Sequence, residues 1–474
     1  NAFSRRFLRS AYCAALAFAA ITAWAEDDIA ALLAGRLNND SELKVRAIEL
    51  RQAELSRSRA ALVNGFNVKL NTGSLVLRFD GESSFEAAPQ ISIGLPQAND
   101  AELTVSAPLS AGGGNPFEIS NTAFTLSADI TGNARKKRTV VLLEAERAVT
   151  EARRTLERRA LQAEKEFYEA LRALYEEEAA LHAKSDTRWT EALEFAKVEA
   201  QGYAENSASY RAARMELAKA EREALEAERS LRRNIALFAR DCGRESLDAL
   251  PSGVPAPSPG EMASLAGFDR SLYTQLESAE WRRYINTLSR EADGELAVRI
   301  EGGGTLNNTS FQNSAGGGAA SVNTGLSLSW RGIALSGGLE FPLSSGGGPA
   351  LRLSLGIESE ALALAPLKKQ EDALAVQKEL IEIENSGRDW DDLLSATDRN
   401  RSDLLWQKDE RAEQFKLYSE LEADMRVWFE QGVITESEYR RAEANKENAR
   451  YNCLITDTNM ILYQIEVSLY LIAE

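Results

Sequence analysis

The chain has 474 residues, a formal charge of −17, and aromatic and charged fractions of 7% and 27%. So acidic a chain has little with which to grip phosphates, so nucleic acid is excluded as an expected partner. With Ala, Glu, Arg and Leu dominating long stretches, the composition favours long solvated helices packed through small residues over a set of compact globules.

The first segment, 1–25, reads as a secretory signal peptide. Arg5, Arg6 and Arg9 form a positive start, Ala11 to Thr22 an apolar run, and Ala23-Trp24-Ala25 a small-x-small cleavage pattern. The mature chain is expected to begin near Glu26. An apolar run of about a dozen residues is too short to cross a bilayer as a helix. Its removal takes away three arginines and no acid, moving the charge from −17 to −20. Nothing after it has the ~18 consecutive apolar residues of a transmembrane helix, so any crossing must use strands. Cys242 and Cys453 lie in or beside helices, far apart in sequence, and are expected as free, structurally plain thiols.

A first repeat is expected over 26–240. It opens with a helix over 27–64 and continues with strands over 66–131, where the hydrophobic period falls to two. There Leu103, Val105 and Ala107 alternate with Thr104 and Ser106, and Phe124, Leu126, Ala128 and Ile130 with Thr125, Ser127 and Asp129. No proline occurs between Pro116 and Pro251, and proline breaks helix interiors, so the next tract is free to be helical. From about Arg135 apolar and small positions recur at helical spacing, as in Leu142, Ala145, Val149, Ala152, Leu156, Ala160, Ala163 and Phe167. This helix is expected over 135–201, roughly 100 Å at about 1.5 Å per residue. The chain then turns at Gly202 and returns over 203–240.

Residues 241–263 carry Pro251, Pro255, Pro257 and Pro259 and read as an irregular collar. A second repeat, 264–474, follows the same plan: a helix over 264–292, strands over 295–358, and helices over 362–431 and 433–474. Its strands alternate as before, with Leu296, Val298 and Ile300, then Leu326, Leu328 and Trp330, then Leu351, Leu353, Leu355 and Ile357 on one side. The turns superpose. Gln201-Gly202 lies over Gln431-Gly432 and, with one residue of slippage, Tyr210-Arg211 over Tyr439-Arg440, self-similarity that marks a duplicated architecture. Segments of about 8–10 residues with one apolar face suit a transmembrane barrel, although a soluble sandwich with one wet face alternates in the same way. Export, and strand regions too small to bury a core among themselves, favour the membrane. Gly112–Gly114, Gly316–Gly318 and Gly346–Gly348 suit the loops, and Trp330 is the only tryptophan in any candidate strand.

In this order of signal, helix, strands, long helix, glycine turn, return helix and collar, twice over, the chain resembles the TolC-like outer-membrane efflux family. The resemblance covers essentially the whole mature chain. Its most specific stretch is Phe429-Glu430-Gln431-Gly432-Val433-Ile434-Thr435-Glu436-Ser437-Glu438-Tyr439-Arg440-Arg441-Ala442, similar to the family's glycine turn followed by an acid-plus-hydrophobe pair and an alanine. Gln201 to Ala213 is a looser version, and Glu166-Phe167-Tyr168-Glu169-Ala170-Leu171 resembles the family's aromatic pair on the long helix.

The resemblance implies a mainly α chain with a membrane β-barrel part. Long antiparallel helical hairpins would close into an α-barrel, a coiled-coil tunnel, and a homotrimer would contribute strands to one shared barrel. A physical reason fits: about four strands cannot close a barrel alone, and open edges are not tolerated in lipid. The implied function is a passive outer-membrane channel-tunnel for a tripartite efflux pump or type I secretion system. It would sit in the lipid of the outer membrane with its helices in the periplasm. Its implied partners are a periplasmic adaptor (membrane fusion) protein and an inner-membrane transporter. Two strands per half are implied, so the alternating stretches at Phe66–Phe79, Ile91–Leu95 and Ile333–Phe341 are extra, and stay open between longer hairpin loops, a longer barrel and added strands.

By position the resemblance also puts a periplasmic turn and gate at Gly202, Ser209, Gly432, Glu438 and Arg441. Glu438 matches a constricting acid, Arg441 stands where the family often has another acid, and Ser209 replaces the acid in the first half. Three copies of Glu438 about an axis would form a pH- and ion-sensitive ring. The plainer reading is a solvated acid near a helix N-terminus. No catalytic group, cofactor or metal is expected. His182 is the only histidine, so with two separated cysteines no standard zinc site can be built. The glycine triplets lack the Lys-Ser/Thr of a phosphate loop, and carboxylate pairs such as Asp391-Asp392 sit on charged helical faces. The alternative to a channel is a non-channel periplasmic helical rod with a small soluble β-head.

Overall fold

The computed structural model describes residues 26–73, 76–78, 84–96, 100–112, 115–119, 122–293, 296–307, 319–331, 333–343 and 348–472. The expected signal peptide and the glycines at 113–114, 316–318 and 346–347 lie outside the described residues. The chain divides into two compact units. One holds the described residues up to Ile48 with Arg154–Thr274 and Arg388–Glu474, the other Glu49–Arg153 and Gln275–Gly387. No helix among the described residues is long and apolar enough to cross a membrane.

Where one helix was expected over 27–64 there are two, α1 (Glu26–Asn39) and α2 (Ser41–Val63). Asp40 divides them: its carboxylate accepts the Leu43 N–H at 2.9 Å, which caps and restarts the helix. The first long hairpin is α3 (Asn133–Ala200) with α4 (Ala208–Asp241), the second α6 (Ser359–Glu430) with α7 (Glu436–Tyr470). Between them α5 runs only from Thr274 to Ala292. Its expected start at 264 is replaced by two tight single turns, Leu265–Gly267 and Arg270–Leu272, the second capped by Asp269 on the Ser271 N–H. Pro366 lies inside α6, where its missing N–H leaves the Leu362 carbonyl without its helical partner.

The core of the first unit gathers Ile29 and Leu32 of α1, Phe167, Leu171 and Tyr175 of α3, Phe238 of α4, and Tyr451, Leu454 and Ile461 of α7. The α3 members recur every four residues, so one helical stripe meets the other three helices. Phe167 packs on Phe238 at 5.3 Å and His182 on Tyr451 at 5.5 Å, giving the lone histidine a packing role. The collar is pinned from the helices. Tyr175 donates its hydroxyl to the Pro251 carbonyl at 2.8 Å, and Tyr463 donates to that of Ala263 at 3.1 Å. Cys242 and Cys453 are free; burial pushes the Cys242 thiol up to about 11.

In the second unit, eight antiparallel strands form a sheet. They are β1 (Asn67–Asn71), β4 (Gln90–Leu95), β5 (Ala101–Ser106), β8 (Thr122–Asp129), β9 (Leu296–Asn307), β10 (Ala319–Trp330), β11 (Ile333–Pro342) and β12 (Ala350–Ile357), in that spatial order. The remaining four, β2 (Val76–Arg78), β3 (Ser84–Ala87), β6 (Leu109–Gly112) and β7 (Asn115–Ile119), form a smaller sheet in the order β2-β3-β6-β7. That order repeats β1-β4-β5-β8. Pro89 stands between β3 and β4, Pro108 between β5 and β6, and Gly73 just after β1. Neither proline has an N–H to give to a ladder. Gly73 has φ +66°, and a Cβ there would lie 2.2 Å from the Ala88 carbonyl oxygen. Each half supplies four strands to the larger sheet where two were implied, and the three stretches left open hold added strands.

Beside the sheet, Arg147 of α3 is buried in a two-pronged pair with Glu277 of α5 and lies over the Trp281 ring at 5.3 Å. Arg290 of α5 holds Glu379 of α6 at 2.9 Å, keeping that carboxyl below its ordinary range.

Phe167 is 1% exposed and Met215 70%. Phe167→Ala is expected to lower unfolding stability by about 3–5 kcal/mol, whereas Met215→Ala stays within about 0.5 kcal/mol. Urea midpoints followed by far-ultraviolet circular dichroism check both.

Candidate functional site

Two regions stand out among the described residues, one in each unit. In the sheet, directly paired residues share a face, and the register is unbroken: Val68↔Ile93, Ile93↔Leu103, Leu103↔Leu126, then Ile300↔Leu326, Leu328↔Leu335 and Leu335↔Leu355. Followed through the whole sheet, this face carries only aliphatic and aromatic side chains with Gly, Ala and Thr, and no charge. It is not packed away: Leu70 is 70% exposed, Leu353 69% and Leu355 64%. A glycine on it, Gly304, lies under the Phe124 ring, so the aromatic covers backbone that a Cβ would otherwise occupy.

The opposite face is polar and mostly small. Its side chains bond across strands: Arg299 donates to Ser127 at 2.6 Å, Arg352 to Glu340 at 3.1 Å, and the Ser336 and Ser354 hydroxyls lie 2.6 Å apart. This face borders one cavity of about 680 Å³, to which every one of the eight strands contributes, from Asn67 and Lys69 of β1 through Glu102, Asp129, Arg299, Ser327 and Ser336 to Ser354 of β12. The sheet is thus curved, polar on its concave side and apolar on its convex side.

The second region is the pair of helix turns in the first unit. Gly202 and Gly432 have φ +72° and +73°, the left-handed conformation that ends a helix. At Gly432 the Gly432 and Val433 N–H groups donate back to the Phe429 and Trp428 carbonyls at 2.9 and 2.8 Å. Thr435 then caps α7 and Glu438 completes the box: its carboxylate accepts both the Thr435 N–H and hydroxyl at 2.8 Å, while the Glu438 N–H donates to Thr435 Oγ1 at 3.3 Å. The bond from the Thr435 N–H, then that from its hydroxyl, hold the Glu438 carboxyl below its ordinary value. In the first half Ser207 caps α4 by accepting the Tyr210 N–H at 3.2 Å, with no acid to reciprocate. Ser209 on the first turn of α4 and Arg441 on the second turn of α7 are exposed, outside these hydrogen-bonded caps.

Beside the expected residues stand others that sequence reasoning missed. Tyr210 packs on Phe195 at 5.2 Å and donates to Glu199 at 3.4 Å. Tyr439 stacks on Phe429 at 5.3 Å and donates to Glu422 at 3.3 Å. Glu422 is buried and paired with Lys446 at 3.0 Å, which holds its carboxyl low. Arg440 lies over the Trp189 ring at 4.9 Å, joining the second hairpin to the first. The tyrosine shared by the superposed turns was the available signal. Among the described residues no group of His, Cys, Asp and Glu is placed to hold a metal ion.

Two family models meet end to end on the chain: the TP096X N-terminal domain matches residues 32–258 and the TP096X C-terminal domain residues 259–474. The chain belongs to the TP096X family. No curated protein sequence matches this TP096X chain. Among solved structures it is similar to the outer membrane protein VceC of Vibrio cholerae, at 13% identity over 94% of this chain and 95% of that one, with a TM-score of 0.47. It is also similar to the MtrE outer membrane channel of Neisseria gonorrhoeae (13% identity, 92% and 87% coverage, TM-score 0.46) and the CmeC outer membrane channel of Campylobacter jejuni (12%, 93% and 85%, 0.45). At such identities and TM-scores these likenesses add no weight to what the residues of the TP096X chain do.

Because the Glu438 carboxyl is held low, its cap is complete above the ordinary carboxylate value of 4.5 and is lost as pH falls through the depressed value. Hydrogen-exchange protection of the Thr435 amide is expected to be steady near pH 7 and to fall under acid. Glu438→Ala should make it low at every pH, and Glu438→Gln intermediate and without pH dependence.

Proposed function

We propose that this TP096X protein is an outer-membrane channel-tunnel that passively conducts substrates from a tripartite efflux pump or a type I secretion system. The observation that carries this reading is the unbroken, exposed apolar face over eight strands, backed by a polar concave face. A bilayer supplies the apolar solvent that the first needs, and a water-filled passage the polar one that the second needs.

On this reading the long hairpins stand in the periplasm, and a homotrimer arranges them side by side around a common passage. The turns at Gly202 and Gly432 are the end offered to a periplasmic adaptor protein and an inner-membrane transporter, with Ser209, Glu438 and Arg441 at the mouth. Glu438 there is both a helix cap and, in three copies, a ring of carboxylates. A wide passage selects little, so the substrate is chosen by the transporter. The helical rod with a soluble β-head is disfavoured because its leucines would need a covering layer in water.

Adjacent residues of β12 separate the two readings. Leu353 lies on the apolar face and Ser354 on the polar one. Leu353→Arg is expected to cost about 2–4 kcal/mol in lipid and to empty the outer-membrane fraction. Ser354→Arg should assemble like the wild type. Equal membrane yields from the two variants, with protein extracted without detergent, would sink the channel.

A further inference from the structure

Leu296, Trp330, Ile333 and Ile357 pair in one row, the last on the apolar face at the helix end of β9 to β12. Trp330 is the one tryptophan in the strands, and an indole favours the boundary between hydrocarbon and water. The guanidinium of Arg331, in the turn that follows, lies over its ring at 5.3 Å.

Arg331 also borders a second cavity, of about 760 Å³, whose other walls are α5 and α6. It shares no residue with the polar cavity of the sheet. One stripe of α6 lines it at helical spacing: Ala361, Leu364, Ala365, Lys368 and Lys369. The character changes along that stripe. Its first members, nearest the sheet, are apolar, and Leu362 and Leu367 beside them are exposed as well. The lysines come next, Lys368 standing roughly 14 Å from the helix start at Ser359 by a rise of about 1.5 Å per residue. From α5 come Ser289 and Arg290.

The acids beside this cavity do not neutralise the lysines. Asp293 is paired with Lys137 at 2.9 Å, and Arg290 with Glu379 at 2.9 Å, which leaves Asp372 as the other acid in the lining. Among the described residues neither Lys368 nor Lys369 is in an ion pair. Two exposed ammonium groups therefore stand at one end of a cavity whose other end is apolar.

We propose that this cavity is a binding site for an anionic phospholipid of the phosphatidylglycerol type. Its diester phosphate sits at Lys368 and Lys369, and its chains run past Leu364, Ala365 and Ala361 toward the Trp330 row. This rests on the channel reading, which brings a bilayer to that row. From the sheet outward, α6 offers apolar side chains and then cations, the order in which a lipid offers chains and then phosphate. Charge selects the headgroup: a zwitterionic lipid carries its own cation, whereas an anionic one answers the two lysines. A free phosphate would occupy the cationic end and leave the apolar end uncovered.

The test is lysine footprinting on the full chain, extracted in a non-ionic detergent. An amine-acetylating reagent is applied with short-chain phosphatidylglycerol, with short-chain phosphatidylcholine, or with inorganic phosphate at the same phosphate concentration. Peptide mass spectrometry then reads each lysine, with Lys378 of the same helix, which does not line the cavity, as the internal reference. Phosphatidylglycerol is expected to slow acetylation of Lys368 and Lys369 at least fivefold and to leave Lys378 unchanged. Native mass spectrometry should show at least tenfold less bound phosphatidylglycerol for Lys368→Gln with Lys369→Gln, and wild-type binding for Lys368→Arg with Lys369→Arg. Equal protection by inorganic phosphate would reduce the site to a free-anion site and overturn the lipid assignment. Equal protection by phosphatidylcholine would overturn recognition by charge, and no protection by any of the three would overturn the site. A chain that is soluble without detergent and does not conduct would instead overturn the channel reading, so the two failures are distinguishable.

Discussion

Side chains of a strand alternate between two faces, and a slip of one residue exchanges them, so a register that keeps every leucine on one side of eight strands is tightly specified. In this chain the specified face is left exposed. Covering a leucine side chain is worth about 1.5–3 kcal/mol, and the uncovered row recurs on strand after strand from Val68 to Ile357. Water offers no return on such a surface, and a bilayer does. The polar face answers the opposite need: its serines, threonines and arginines bond across strands and border an open cavity, which suits contact with water rather than with another protein layer.

The two halves solve the same problems with different residues. Each long hairpin turns on a left-handed glycine, and each return helix sets a tyrosine against a phenylalanine of the helix before it, with a glutamate accepting its hydroxyl. The caps have diverged. The second half has the reciprocal Thr435–Glu438 box and the first only Ser207. In the sheet, the second half keeps strands such as β9 and β10 whole at twelve residues each, while Pro89 and Pro108 divide those of the first.

Much of this was legible beforehand. The absence of proline and the recurrence of Ala145, Val149, Ala152, Leu156, Ala160, Ala163 and Phe167 suffice for α3, because a helix that long is fixed by periodicity and not by distant contacts. The second-half strands were legible for the same reason. What stayed hidden depends on single side chains making local bonds. Asp40 splits a helix by capping the Leu43 N–H, Asp269 delays α5 by capping Ser271, and Pro89 and Pro108 each break one strand. The number of strands per half was misjudged because the resemblance, and not the alternation, set it at two. The alternating stretches at Ile91–Leu95 and Ile333–Phe341 were strands all along. Around the turns, the resemblance marked Glu438 as a constricting acid, and the structure has it as the cap of α7; Glu422, Lys446 and the Trp189–Arg440 contact join residues too far apart for a sequence pattern to reveal.

On the channel reading, the polar side of this sheet belongs to a water-filled passage through a membrane. Single-channel recording from the detergent-extracted wild-type chain in a planar bilayer tests it directly. Discrete, stepwise openings are expected. A chain that stays in the aqueous phase, and leaves the bilayer conductance unchanged at every protein concentration tried, would contradict it.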